Sequence, residues 1–144
     1  MYITTRGRYA LRVLIDLAEH RSEGYVAMRE VAERQDISLK YLEKILPALV
    51  EAGCIEGIHG KGGGYRLVKD PSEYRVGDIL RISEDTLSPV ACLSEGAVAC
   101  VRAEKCRTLP LWKGLSKVVS DYLDQVRLSD LSEHSGEEAE GTGP

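Results

Sequence analysis

The sequence predicts a mainly α chain with a small β-wing: a winged helix-turn-helix domain followed by a long C-terminal dimerisation helix. Three stretches predict it. Ser38 to Ala52 carries apolar residues at Leu39, Leu42, Ile45/Leu46 and Leu49/Val50, the spacing of one helix face. Two β-like runs, Cys54–Ile58 and Tyr65–Val68, then flank a tip of Gly60, Lys61, Gly62, Gly63 and Gly64. Such a tip can bring its backbone close to another molecule, because few side chains stand in the way. Near the other end, helical spacing runs through Leu109, Leu111/Trp112, Leu115, Val118/Val119, Tyr122/Leu123 and Val126.

Taken in order, Arg8 to Arg21 reads as the first helix, with an apolar stripe of Leu11, Leu14/Ile15 and Leu17/Ala18. Arg6, Arg8 and Arg12 precede the first acid, Asp16, so this end is positive; three solvated arginines are the plainer reading. Ser22–Glu23–Gly24 is a turn, and Tyr25–Val26–Ala27 a short strand expected to pair with the wing. Met28 to Gln35 forms a short helix, joined through Asp36–Ile37 to the Ser38–Ala52 helix, with Ser38 as N-cap and Gly53 as the stop. Pro47 removes a backbone donor inside that helix, so a kink is expected after Lys40–Lys44. Helix, tight turn, helix and glycine-tipped basic hairpin together make a winged helix-turn-helix, with Ser38–Ala52 as recognition helix. A solvated amphipathic helix beside an ordinary hairpin is the alternative.

Past the wing, Asp70–Pro71–Ser72 breaks the chain and Val76 to Ile82 reads as a short helix. Residues 83–108 show no sustained periodicity, and a loop of that length implies a function or disorder. The helix over 109–128 is too apolar for a lone surface element. A second copy of the same helix is the simplest cover, giving a two-fold homodimer whose recognition helices lie about one DNA turn apart and read a near-palindromic site. Residues 129–144 are acidic and almost free of large apolar side chains, and read as a disordered tail. The organisation expected is therefore 1–82 DNA-binding, 83–108 loop, 109–128 dimerisation, 129–144 tail.

Composition sets bounds on function. The net charge of −4 seems to argue against DNA, but Asp130, Glu133, Glu137, Glu138 and Glu140 all lie in the tail, which has no Lys or Arg. Without the tail, 19 basic residues face 18 acidic ones. Duplex binding depends on where positive groups lie, so global charge does not decide it. There is no apolar run of membrane-spanning length and no signal-peptide pattern at MYITTRGRYAL, so a cytoplasmic protein with no membrane partner is expected. In that compartment the four cysteines are thiols or metal ligands rather than structural disulfides. His20, His59 and His134 lie far apart in sequence, with no cysteine at motif spacing, so no enzyme is expected.

Cys92, Cys100 and Cys106 cluster within the loop, where soft thiolates can wrap one centre. The chemistry leaves three readings: an iron–sulfur or zinc site, a thiol switch, or inert cysteines. Cys54, among apolar residues at the helix–wing junction, reads as a buried small hydrophobe.

The motifs TTRGRYALRVLIDLA, ISLKYLEKIL, HGKGGGYRL and VGDIL are similar to those of the Rrf-type family of bacterial winged-helix regulators. ISLKYLE and the cysteine cluster most resemble its IscR branch, the iron–sulfur cluster regulators. The resemblance covers roughly residues 1–128. It implies that Ser38, Lys40, Tyr41, Glu43 and Lys44 face the major groove, that Arg8 lies near the DNA backbone, and that His59, Lys61, Gly62 and Gly63 bring the wing to the minor groove. Glu43 can accept from a cytosine amino group and reject bases that offer only acceptors. An arginine is common in the family where this chain has His59; histidine is shorter and usually neutral, which weakens that contact or makes it pH-dependent. The resemblance further implies a two-iron, two-sulfur (2Fe-2S) cluster on Cys92, Cys100 and Cys106. A histidine supplies the branch's fourth ligand, but Leu109 stands there; another branch uses an N-terminal acid, where this chain has Arg8. The fourth ligand is therefore unknown, with Glu95, Glu104, Asp85, a small thiol or water as candidates. The expected function is a repressor that senses iron–sulfur status and controls cluster-assembly genes. The alternative is a cluster-free regulator of the same fold, controlled by thiol oxidation or a protein partner.

Overall fold

The structure, a computed structural model, describes residues 3–94, 96–97, 102 and 104–132. Among the described residues, six α-helices and one hairpin follow in chain order: α1 (Thr5–Glu19), α2 (Met28–Gln35), α3 (Leu39–Glu51), β1 (Ile55–Ile58), β2 (Gly64–Leu67), α4 (Val76–Ser83), α5 (Leu109–Gln125) and α6 (Leu128–Leu131). Helix α1 begins before the predicted Arg8, because the Thr4 side chain caps it by accepting from the Gly7 N–H. It also ends sooner, with Arg21–Glu23 forming a separate 3₁₀ turn.

The core sits where α1 meets α2, α3, α4, α6 and β2. Of the apolar faces read from the sequence, Leu14, Leu17 and Ala18 on α1 and Leu42, Ile45, Leu46 and Leu49 on α3 are buried, whereas Leu11 and Ile15 are half-buried and Leu39 and Val50 are exposed. Val13 of α1, Val31 of α2 and Ile79 and Leu80 of α4 complete the core. Cys54 is buried among them, and burial pushes its thiol above the ordinary range. Helix α3 runs without interruption through Pro47. The proline ring lies on the exposed face, so water can satisfy the Glu43 carbonyl that loses its helical donor.

The hairpin is antiparallel, with Ile55 opposite Leu67 and Ile58 opposite Gly64. Gly60 and Gly62 turn the tip at positive φ, which a side chain would strain. Tyr25–Ala27 is not a full strand. A single bridge joins Val26 to Tyr65 through two backbone hydrogen bonds of 2.8 and 2.9 Å. The far end of the wing is fastened by Tyr74. Its hydroxyl donates to the Cys54 carbonyl at 2.6 Å and accepts from the Val68 and Lys69 N–H groups, each at 3.1 Å.

Helix α5 lies against α4 through Arg81, whose guanidinium grips Asp124 at 2.7 and 3.1 Å. No residue of α5 is fully buried, and Leu111, Leu115, Val118 and Tyr122 form an exposed apolar stripe. Residues 129–132, expected to belong to a disordered tail, are ordered instead. The chain returns to the core as α6, where Leu128 is fully buried and its N–H donates to the Tyr74 carbonyl at 2.9 Å. A single helical turn of four residues is too short to show a periodicity, so this return left no pattern to read. The remainder of the predicted tail, from residue 133, lies outside the described residues. Among the described residues no helix is long and apolar enough to cross a membrane.

Tyr74→Phe removes one donor and one acceptor that serve three backbone groups. It is expected to cost about 1–2 kcal/mol in urea unfolding: the Cys54 carbonyl keeps only its longer bond from the Val68 N–H, at 3.3 Å, and the Lys69 N–H loses its acceptor.

Candidate nucleic-acid interface

The α2–α3 turn is made by Asp36, in the left-handed region at φ 53°, and by buried Ile37. Ser38 caps α3 by accepting from the Tyr41 N–H at 3.1 Å. Its hydroxyl is therefore engaged in positioning the helix. With Leu42, Ile45, Leu46 and Leu49 buried, the helical period turns Lys40, Glu43 and Lys44 to the opposite, exposed side. Tyr41 is half-buried, its ring meeting Tyr9 edge-on at 5.4 Å, with the Arg12 guanidinium 5.1 Å from the Tyr9 centroid.

What aims this face is a carboxylate that sequence reasoning passed over. Asp16, on α1, is 1% exposed. It accepts from Arg34 Nε at 3.0 Å, Arg34 Nη2 at 2.8 Å and Gln35 Nε2 at 3.0 Å. Arg12, one turn earlier on α1, donates to the Gln35 carbonyl and to its side-chain oxygen. Thus α1 holds the last residues of α2 by charge-assisted bonds just before the chain turns into α3. The bond to Asp16 raises the Arg34 guanidinium above its ordinary range.

Several of the expected cations have internal partners. Arg12 faces inward as described. Arg66, on the wing, pairs with Glu56 across the strands at 2.8 Å and stacks 4.3 Å from the Tyr25 centroid. Lys69 lies 5.8 Å from the Tyr74 centroid. The wing's cationic window is therefore narrower than its sequence implies. His59, Lys61 and Gly62 are exposed at its tip and Gly63 is half-buried. At the start of α1, Arg8 bonds the Thr5 hydroxyl at 3.1 Å and, with Ile3, Thr4, Thr5, Arg6 and Tyr41, lines an open concavity of about 450 Å³. Arg8 and the recognition helix thus share one surface.

The cysteines are only partly placed. Cys92 is exposed in a 3₁₀ turn, Ala91–Leu93. Cys106 precedes α5, its sulfur 3.4 Å from the Thr108 hydroxyl; that bond, with backbone N–H groups of Thr108 and Leu109, lowers its thiol from the ordinary range. Cys100 and the candidate ligand Glu95 lie outside the described residues. Glu104 is exposed, Asp85 is bonded to Arg6, and Leu109 opens α5. Among the described residues no group of three His, Cys, Asp or Glu side chains is assembled to hold a metal ion.

Residues 3–134 match the Rrf2 family, described as iron-dependent transcriptional regulators. The chain belongs to that family. Its relatives include the HTH-type transcriptional regulator IscR of Serratia proteamaculans, 37% identical over 131 residues, 91% of this chain and 79% of the relative. IscR of Aliivibrio salmonicida is also 37% identical, over 91% of this chain and 77% of its own length. Among solved structures, CymR, the global cysteine regulator of B. subtilis, aligns with a TM-score of 0.77 at 32% identity, over 92% of this chain and 96% of that one. The T. potens IscR structure aligns with a TM-score of 0.74 at 28% identity, over 100% and 93%. The protein is an Rrf2-type, DNA-binding transcriptional regulator with the predicted winged-helix fold.

Within this Rrf2 fold, Asp16→Ala leaves Arg34 and Gln35 without their shared acceptor. The variant is expected to lose about 2–3 kcal/mol of stability in urea unfolding, less than a fully buried pair because Arg34 keeps some contact with water.

Proposed function

We propose that the chain is a homodimeric transcriptional repressor acting in the cytoplasm. It recognises a near-palindromic operator through Lys40, Tyr41, Glu43 and Lys44 in the major groove, with Ser38 capping the helix they stand on. The wing tip at His59, Lys61, Gly62 and Gly63 approaches the minor groove, and Arg8 meets the backbone. The observation that carries this reading is that Tyr41 of α3 and the Arg8 end of α1 line one open concavity, while Lys40, Glu43 and Lys44 stand exposed on the same helix. Phosphate contacts there would fix register while Glu43 reads bases. Catalysis has no part in this reading.

The dimer is supported by α5. Leu111, Val118 and Tyr122, each at least 60% exposed, follow one another along the helix with Leu115, and a second copy would bury them as an isologous seam. Such a seam would hold the two recognition helices at a fixed separation.

The signal we assign to the loop is iron–sulfur status, with cluster-assembly genes as targets. Cys92, Cys100 and Cys106 would hold a cluster, of the 2Fe-2S type, as thiolates, and no residue is assigned as fourth ligand. Their chemistry suits the group: the Thr108 hydroxyl and the Thr108 and Leu109 N–H groups lower the Cys106 thiol from its ordinary range, which eases the loss of its proton on ligation, and the IscR relatives point the same way. A bound cluster would supply a redox-sensitive centre whose loss frees the loop. The second reading is thiol or protein-partner control without a cluster. It draws on that same lowering of the Cys106 thiol, on exposed Cys92 and on the likeness to the cysteine regulator CymR.

An anaerobic visible spectrum with iron and sulfide assays separates the two. Cluster sensing predicts coloured protein with about two iron and two sulfide per chain, colourless after Cys92→Ala. Colourless protein that also fails reconstitution favours thiol or partner control. For the DNA face, Glu43→Ala is expected to relax base preference with the salt dependence nearly unchanged, whereas Lys61→Ala weakens all sequences alike. Selection from a random duplex pool with each variant checks this; unchanged preference in Glu43→Ala would move the reading face elsewhere.

A further inference from the structure

The two residues that follow α4 are bound to the start of α1. Glu84, 8% exposed, accepts through Oε1 from the Thr4 N–H at 2.8 Å and from the Thr4 hydroxyl at 2.9 Å. The same hydroxyl accepts from the Gly7 N–H at 3.4 Å, so Glu84 completes the cap of α1. Gly7 makes this approach possible, since a Cβ there would stand 2.1 Å from Glu84 Oε1. The next residue, Asp85, reaches outward to Arg6, with Nη2 and Oδ1 3.5 Å apart. Arg6 is one of the residues lining the concavity shared by Arg8 and Tyr41.

We propose that Asp85 is a built-in competitor of DNA phosphate for Arg6, held at the mouth of the binding surface by the Glu84–Thr4 fastening. Arg6 is the cation nearest this carboxylate among the described pairs, and its own side chain is half-exposed. In the free protein it points at Asp85, and on a duplex it would have to leave that partner for a phosphate. The exposed pair is weak, so the competition tunes affinity without blocking binding. Because Asp85 opens the segment that carries Cys92, a rearrangement of that segment alters how much of Arg6 is offered to DNA. This rests on the reading that the start of α1 faces the DNA backbone.

The test uses the full chain and a random-sequence duplex, with affinity measured across salt concentrations for the wild type, Arg8→Gln, Arg6→Gln, Asp85→Asn and the Arg6→Gln/Asp85→Asn double variant. Asp85 is 96% exposed, so its substitution leaves the core untouched. Asp85→Asn is expected to bind about two- to five-fold more tightly, roughly the range of a surface ion pair. The gain should be largest at low salt and shrink as salt rises, because salt screens the pair that the wild type must break while the phosphate contacts in the complex stay the same. The gain should vanish in the Arg6→Gln background, and Arg8→Gln alone should make the log–log salt slope shallower. A gain that persists without Arg6 would reduce Asp85 to a general negative charge and overturn the proposal. No gain in Asp85→Asn, with Arg8→Gln still shallower, would overturn it while leaving the DNA-facing reading intact. An unchanged slope in Arg8→Gln would remove that reading and the proposal together.

Discussion

The buried carboxylate of Asp16 is the constraint on which the DNA-facing surface depends. A charge that far from water needs partners, and α2 supplies them from its last two residues. The strand-like freedom of a three-residue turn would otherwise let α3 settle at many angles on α1. With Arg34 and Gln35 fixed to Asp16, and the Gln35 carbonyl fixed to Arg12, the chain leaves α2 in one direction. Asp36 then adopts its left-handed conformation and Ser38 caps the next helix. The apolar seam of Leu42, Ile45 and Leu49 supplies burial energy, while the polar clamp selects the orientation.

The same arrangement explains how an acidic chain presents a basic face. Arg12 is committed to neutral Gln35, while Arg34, Arg66, Arg75 and Arg81 are matched in charge by Asp16, Glu56, Asp78 and Asp124 respectively. The outward face of α3, the tip of the wing and the start of α1 keep Lys40, Lys44, Lys61 and Arg8 toward solvent. Net charge averages over both sets; a duplex meets only the second.

Local patterns made most of the fold legible. The apolar period of α3, the glycine tip of the wing and the Ser38 cap each write their structure into adjacent residues, and all three stand where they were expected. The features that escaped are long-range pairings. Asp16 with Arg34, Glu84 with Thr4, and Leu128 beneath Tyr74 join residues far apart in the chain and leave no periodicity behind. Arg66 and its partner Glu56 lie ten residues apart on opposing strands, and only the hairpin register brings the two together. In the cysteine segment the residue types carry the chemical signal, but ligation depends on which thiols converge, and spacing alone does not encode that.

Amide hydrogen exchange, with and without a duplex selected by the chain from a random pool, tests the DNA-facing surface most directly. Protection is predicted at the first turns of α3, at the wing tip around Lys61 and at the start of α1, with little change along α4. Protection confined to α4 and α5, with α3 and the wing unchanged, would contradict the assignment of the recognition surface.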